Sequence, residues 1–398
     1  MNILYIHQYF KTPSEGGAIR SYYIARGMID AGHEVEMITS HNRNQYIKKD
    51  IEGITVHYLP VKYYNHFGFL RRLFAFLFFA YKAYHLAGKF ENIDLAYVTS
   101  TPLTVALIAL KLNRQKQIPY VFEIRDLWPE APIRLLEIKN VFIKTISRKL
   151  EMTAYRKAHK IVSLSPGIHE HVSSQVPGKS VYLCPNFSDC TFFERTNQKN
   201  EALLEKHSIG NAFVISYFGA IGKVNALDYF LDLVKVSEDH KMNIRFFMIG
   251  EGAMLTGLRQ QVKLRNLRTI EFLPHMDKFD LKEYLSICDA AYISFINNPV
   301  MELNSPNKFF DALASGKLVI TNTKGWVCDL IEKNKCGFYM DPEIPGEFAS
   351  KIQPFLKEPH LNIQQVNARR LAEESFDKDK CIKNLISFID PKYPGFEA

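Results

Sequence analysis

The feature that most constrains this 398-residue chain is a pattern that occurs twice: a short apolar run, a glycine loop, then apolar residues at helical spacing. In the first half, residues 2–8 suit a buried strand, Gly16-Gly17-Ala18 follows in a loop, and 19–31 read as a helix. Runs at 35–39, 56–59, 96–99, 120–124 and 160–165 suit further buried strands, separated by helical segments. Parallel strands need a crossover between them, so the alternation predicts a parallel sheet covered on both faces. The pattern then restarts. Residues 214–218 lead into Gly219-Ala220-Ile221-Gly222 and a helical stretch at 227–236, and 244–249 lead into Gly250-Glu251-Gly252. Strands are expected again at 271–273, 290–295, 318–321 and 337–340. The length, about twice that of a usual single domain, agrees with the restart. The fold class expected is α/β, with two Rossmann-like, doubly wound parallel-sheet domains at 1–186 and 187–377. The boundary is placed within 184–189, where Pro, Asn and Asp break the pattern. A last helix, about 378–389 in a segment running to 398, is expected to pack back on the first domain.

Hydrophobic residues at 47% and charged residues at 23% are the balance of a folded globular protein rather than a disordered one. The six cysteines lack C-x-x-C spacing, which argues against a zinc site and a secreted disulfide framework and favours a reducing cytosol. The opening MNILYIHQYF lacks the basic-then-apolar order of a signal peptide. Charge is unevenly shared: residues 1–200 hold 26 Lys and Arg against 16 Asp and Glu, or +10, and 201–398 hold 24 against 26, or −2. A basic half suits nucleic acid or an anionic membrane. No nucleic-acid-binding motif accompanies it, so nucleic acid is not expected as a partner. Residues 65–90 interleave Phe, Leu and Tyr with cations, and their longest uncharged run, 73–81, falls short of the roughly 20 apolar residues a bilayer span needs. Two readings stay open. One is a core helix with snorkelling cations. The other is an interfacial helix with Leu70, Phe74 and Phe78 in lipid and Arg71, Arg72 and Lys82 on anionic headgroups.

Ligands of open parallel sheets bind beyond the carboxyl ends of the strands, which directs attention to the glycine loops. Gly16-Gly17 and Gly219-x-x-Gly222-Lys223 each stand between a strand and a helix, where backbone N–H groups approach a phosphate closely. Either pair alone is equally an ordinary steric device of a strand-to-helix turn. Their recurrence in two similar domains points to a nucleotide cleft between facing domains. No Walker-type lysine pattern follows either loop. The most informative segment is 304–317, in which Ser305-Pro306-Asn307 starts a helix that sets Lys308 and Asp311 three residues apart on one face. In a donor site the lysine would neutralise a diphosphate leaving group and the carboxylate would accept ribose hydroxyls. In an arbitrary sequence the pair would read as a surface salt bridge.

SPNKFFDALASGKLVI resembles the donor-site helix of the retaining family-4 glycosyltransferases, which have the two-domain GT-B fold. RDLWPE, from Arg125 to Glu130, resembles the signature of a bacterial subgroup that builds cell-surface polysaccharides, and Pro185-Asn186 sits where the family's linker reads P-N. The glycine loops fall in family order, and the resemblance covers nearly the whole chain. It implies donor-binding roles for Gly16, Gly17, Gly219, Gly222, Lys223, Gly250, Glu251, Ser305, Pro306, Asn307, Lys308 and Asp311. Arg125 and Asp126 would lie on the acceptor side, with Lys308, Lys223 and Asp126 closest to the chemistry. Departures are equally specific: Leu303 stands where the first of two family glutamates belongs, with Glu302 next door, Asp311 takes the second position, Ala220 and Ala226 replace a common Arg and Lys, and Arg125 replaces a common His.

The resemblance implies a metal-independent hexosyltransferase. The leaving phosphate would help to deprotonate an acceptor that attacks the same sugar face, so no protein general base is nominated. The chain is read as carrying no Asp-x-Asp metal motif, and the nucleotide sugar is a substrate, so no metal or cofactor is expected. The expected partners are a nucleotide-sugar donor, UDP-linked and N-acetylated by family tendency, a lipid-linked saccharide acceptor of O-antigen or capsule synthesis, and the cytoplasmic face of the plasma membrane. The rival readings are a nucleotide-sugar epimerase of the same architecture and a non-catalytic sugar-binding protein. The epimerase would carry several acid/base carboxylates and histidines that this chain does not present in RDLWPE and SPNK.

Overall fold

The structure, a computed structural model, describes residues 1–17, 19–64, 67–135, 138–196 and 198–395. Residues 65 and 66, which open the aromatic segment, residue 18 of the first glycine loop and the terminal 396–398 lie outside the described residues. The chain divides into two compact units: Met1–Thr12, Ala18–Pro185 and Lys380–Ala398 form the first, and Pro13–Gly17 with Asn186–Asp379 the second.

The first unit is built on β1 (Asn2–Ile6), β2 (Glu34–His41), β3 (Ile47–Ile51), β4 (Ile54–Pro60), β5 (Leu95–Thr99), β6 (Tyr120–Ile124), β7 (Lys160–Ser163) and β8 (Val181–Leu183). They form one eight-stranded sheet in the order β3-β4-β2-β1-β5-β6-β7-β8. The expectation of an all-parallel sheet is corrected at one edge, where β3 runs antiparallel to β4 through a turn with Glu52 and Gly53 at positive φ. β3 reads IKKDI, too charged for a core strand, and charge suits an edge that must not pair further. The interior strands are apolar on both faces because helices cover both, and β5 and β6 are buried at every residue. The Lys378–Ile389 helix packs its Ile382 against the Arg20–Asp30 helix at Gly27, where a Cβ would lie 2.2 Å from the isoleucine Cγ2. Lys160 Nζ donates to Phe388 O at 2.6 Å, and Tyr182 stacks on the Phe388 ring.

The second unit carries β9 (Phe213–Phe218), β10 (Ile244–Ile249), β11 (Ile270–Leu273), β12 (Ala290–Ile293), β13 (Leu318–Thr321) and β14 (Gly337–Tyr339), all parallel, in the order β11-β10-β9-β12-β13-β14. Alternate residues of β9 enter different cores. Val214 and Phe218 join Phe309, Phe310 and Leu313 on one face, while Ile215 and Tyr217 join Phe230 and Phe246 on the other. The order reverses at β9 and β12, so the loops leaving their carboxyl ends flank the switch point where such sheets bind ligands.

Candidate functional site

Two backbone loops meet beyond the ends of β9 and β10. Gly219 N donates to Ile249 O at 3.0 Å, Ile221 N to Glu251 O at 2.8 Å and Met254 N to Ile221 O at 3.1 Å. The contact leaves no space for side chains: a Cβ on Gly250 would lie 1.9 Å from Gly219 O, and one on Gly252 2.2 Å from Ile221 O. Glu251 therefore takes part through its carbonyl, and its side chain is exposed. Lys223 opens a short 3-10 turn, Lys223–Asn225, ahead of the Asp228–Asp239 helix. Its side chain is exposed, and it stands on that turn between strand and helix, as its place in the loop predicts. Gly16 and Gly17 likewise adopt positive φ after the Pro13–Glu15 3-10 turn, ahead of a helix that begins only at Arg20.

The Asn307–Ala314 helix starts after Pro306, with Ser305 tied down: its Oγ accepts Asn186 N at 3.0 Å, and its carbonyl accepts the Asn186 amide. Phe309, Phe310, Ala312, Leu313 and Ala314 anchor the helix in the core and fix the rotation of its polar residues. Lys308 Nζ reaches the Gly219 loop, donating to Tyr217 Oη at 2.9 Å and to Asn225 Oδ1 at 3.2 Å. It lies 4.2 Å from the Tyr217 ring centroid and 5.1 Å from that of Phe295. Tyr217 Oη in turn donates to Ala220 O at 2.6 Å, completing a chain from the ammonium to the loop backbone. The residue keeps some solvent contact, yet desolvation by the surrounding protein pulls the pKa of the amine down to about 7.

Asp311 stands apart from Lys308. It makes no ion pair with Lys308 and instead faces a separate group in which Asp189 holds Lys278 at 2.8 Å and Lys378 at 3.0 Å. Burial raises the Asp311 carboxyl to about 6, with Lys278 opposing the rise and Asp189 adding to it. Asp377-Lys378-Asp379 spells Asp-x-Asp, but it is a helix start: Asp377 Oδ1 accepts Asp379 N at 3.1 Å, and Lys378 is engaged with Asp189. Tyr217, Asn225 and Asp189 were missed in the sequence. Only the position of Tyr217 and Asn225 around the glycine loop pointed to them.

In the first unit, Arg125 and Asp126 follow β6. Asp126 accepts Thr101 Oγ1 at 3.2 Å, and burial raises its pKa against the opposing effects of Arg125 and Thr101. Arg125 approaches His7 Nε2 at 3.4 Å, and His7 Nδ1 meets Ser21 Oγ at 2.9 Å. Burial first, then Arg125, lower the His7 pKa well below its usual value, so the ring is neutral, with Nε2 the acceptor. Beneath them is a charge group absent from the sequence reading. Glu123, fully buried, accepts Arg20 Nε at 2.9 Å, Tyr97 Oη at 3.0 Å and Thr99 Oγ1 at 2.9 Å. Burial alone would raise the Glu123 pKa, but Arg20, Arg125 and the hydrogen bonds hold it below the usual value. Arg20 also donates to Pro185 O and Cys184 O at 2.6 and 2.9 Å, fastening the end of the unit to its sheet. The available signal was a glutamate inside an otherwise apolar strand, YVFEI.

The aromatic segment forms the Phe69–Ala87 helix, with one face buried and one exposed. Ala75, Phe76, Phe79, Ala80 and Ala83 face the core, whereas Leu70, Phe74, Leu77 and Tyr81 form an outer stripe with Leu70 77% and Phe74 68% exposed. Arg71 is exposed, Arg72 Nε donates to Phe67 O at 2.8 Å, and Lys82 Nζ lies 4.5 Å over the Phe78 ring. No helix among the described residues is long and apolar enough to cross a membrane.

Two largely parallel sheets with loops gathered at their carboxyl ends define a two-unit α/β class, and comparison with known proteins makes it specific. The glycosyl transferase 4-like domain matches residues 15–186, and glycosyl transferases group 1 matches 199–373. The chain therefore belongs to the group 1, family-4-like glycosyltransferases of GT-B fold, and is a glycosyltransferase. Among solved structures it is similar to Anabaena HepE in complex with UDP and glucose, with TM-score 0.72 and 16% identity over 98% of this chain and 99% of that one. It is similar to sucrose-phosphate synthase from Thermosynechococcus elongatus, with TM-score 0.74 and 14% identity over 98% and 99%. A third is WaaG, a glycosyltransferase involved in lipopolysaccharide biosynthesis, with TM-score 0.67 and 15% identity over 98% and 99%. No curated protein matches the chain in sequence.

Proposed function

We propose that this glycosyltransferase is a retaining, metal-independent enzyme that moves a sugar from a UDP-sugar to a lipid-linked saccharide in cell-surface polysaccharide synthesis. The observation that carries the donor half is Lys308, a cation enclosed beside the Gly219 loop whose partners among the described residues are neutral oxygens and ring faces. A diphosphate arriving there supplies the missing counter-charge, and the charge it gains as the sugar–phosphate bond breaks strengthens the pairing. Lys223 and those backbone N–H groups of the glycine loops that are not bonded within the fold add to it, Asp311 holds ribose hydroxyls, and the departing phosphate takes the acceptor proton. On the acceptor side, Arg125 and Asp126 flank the acceptor, with Asp126 orienting the attacking hydroxyl, and the exposed stripe of the Phe69–Ala87 helix rests on the cytoplasmic membrane face. HepE in complex with UDP is in keeping with a UDP-sugar donor, and the choice of a lipid-linked acceptor rests on the RDLWPE resemblance and the exposed helix stripe.

The deciding experiment is a donor screen by isothermal titration, followed by transfer assays on membrane-extracted lipid-linked saccharides with analysis of the product anomer. Binding of a UDP-sugar and transfer with retained configuration are expected. Conversion of the nucleotide sugar by the protein alone, without acceptor, would replace the proposal with epimerase chemistry.

A further inference from the structure

Beside the outer stripe of the Phe69–Ala87 helix runs a groove of about 530 Å³, within the size range of small-ligand sites. One wall is the helix face of Leu70, Phe74 and Phe78, spaced four residues apart, with Ala75 behind them and Phe67 at the end. The other is Pro60 and Val61 at the end of β4, with Arg43 and Asn44 beyond β2. Phe74 and Phe78 stack at 5.6 Å and give the wall a continuous apolar surface. Four cations line it, Arg43, Lys62, Arg71 and Lys82, and no carboxylate does. Lys82 is fixed over Phe78 and against Pro60 O at 3.4 Å, and Arg71 lies 5.9 Å from the Phe67 ring centroid. Arg43 and Lys62 are exposed and have no acidic partner among the described residues. An apolar trough bordered by one sign of charge is complementary to an amphiphile with a hydrocarbon chain and an anionic head.

We infer that this groove seats a single hydrocarbon chain of a lipid phosphate, the lipid part of the acceptor, with its phosphate on Arg43, Lys62 and Arg71. The inference rests on the lipid-linked acceptor reading and makes it specific. Leu70 and Phe74 belong both to the groove and to the exposed stripe, so a chain passes from bilayer to groove without crossing water. The groove thereby selects one anchored molecule, whereas the stripe contacts bulk lipid.

The test is titration of the full chain with decyl phosphate below its micelle concentration, beside decanol and inorganic phosphate. Saturable binding of one decyl phosphate per chain is expected, with each half-ligand roughly tenfold or more weaker. Phe74→Glu, at a position 68% exposed, should keep the melting temperature within a few degrees of wild type and weaken decyl phosphate at least roughly tenfold. Lys62→Ala/Arg71→Ala should erase its advantage over decanol. Flotation on anionic vesicles separates this inference from membrane docking. Flotation without saturable decyl phosphate binding would overturn the groove and leave docking standing. Saturable binding without flotation would support the groove and remove docking. Equal binding by wild type and Phe74→Glu would also overturn it.

Discussion

Glu123 and Lys308 pose the same physical problem in the two units, a charge surrounded by protein, and the units solve it oppositely. Around Glu123 every demand is met from within: Arg20 neutralises it, Tyr97 and Thr99 fill its oxygens, and Arg20 spends its remaining donors on Cys184 and Pro185 carbonyls. Around Lys308 the described residues provide dipoles and ring faces and no counter-charge. A closed set of charges supports a framework, and an open one favours an incoming ion. The comparison teaches that burial alone does not mark a site; the missing counter-charge does.

The sharpest way to break this contrast is to remove each charge in turn. Glu123→Ala strands the Arg20 guanidinium, and urea unfolding should show a loss of about 3–5 kcal/mol. A loss no greater than that of an ordinary surface substitution would show that Arg20 finds other partners. Lys308→Ala breaks no ion pair, so its melting temperature should stay within a few degrees of wild type. Its turnover should fall on the order of 10²–10³-fold, the cost of deleting one charge-stabilising donor. Substantial unfolding together with lost activity would move Lys308 into the framework class.

Smaller effects sharpen the contrast. Asp311→Asn should weaken nucleotide binding roughly tenfold while changing turnover at saturating donor much less. Titration calorimetry and kinetics on one preparation separate the two. Protons report the open charge directly. With the Lys308 pKa near 7 in the folded chain against 10.5 for an ordinary lysine, the unfolded state binds more protons between those values. This group therefore makes stability rise with pH from about 7 to 10.5 and lowers it below that window. Bound diphosphate raises the folded pKa again, so UDP binding at about pH 8 should take up a proton, visible as a dependence of binding heat on buffer ionisation enthalpy. Heats independent of the buffer would place the diphosphate away from Lys308. The smallest effect is expected from EDTA, which should leave transfer within roughly twofold of the untreated rate if lysines carry the phosphate charge. Loss of transfer that magnesium or manganese restores would assign that charge to a metal.

The sequence by itself determined the α/β alternation. Buried parallel strands must be apolar on both faces and must end where glycine allows a turn, and runs such as VISYF into Gly219 and IRFFMI into Gly250 satisfy both locally. It also marked Lys308, because helix-start chemistry and the SPNK spelling are local. β3 stayed hidden: IKKDI has no apolar period, and only pairing with β4 makes it a strand. Glu123 and Arg20 lie 103 residues apart, and nothing in either neighbourhood names the other. Lys308 and Asp311 show the limit most clearly. Three-residue spacing put them on one helix face, but side-chain direction is settled by what each meets, and Tyr217, Asn225 and Asp189 come from the β9 strand, the turn after it and the start of the unit. Local periodicity fixes which residues form an element, because it depends on neighbours in the chain. Only tertiary structure decides where each charge finds or lacks its partner, because that depends on groups brought together from distant parts of the sequence.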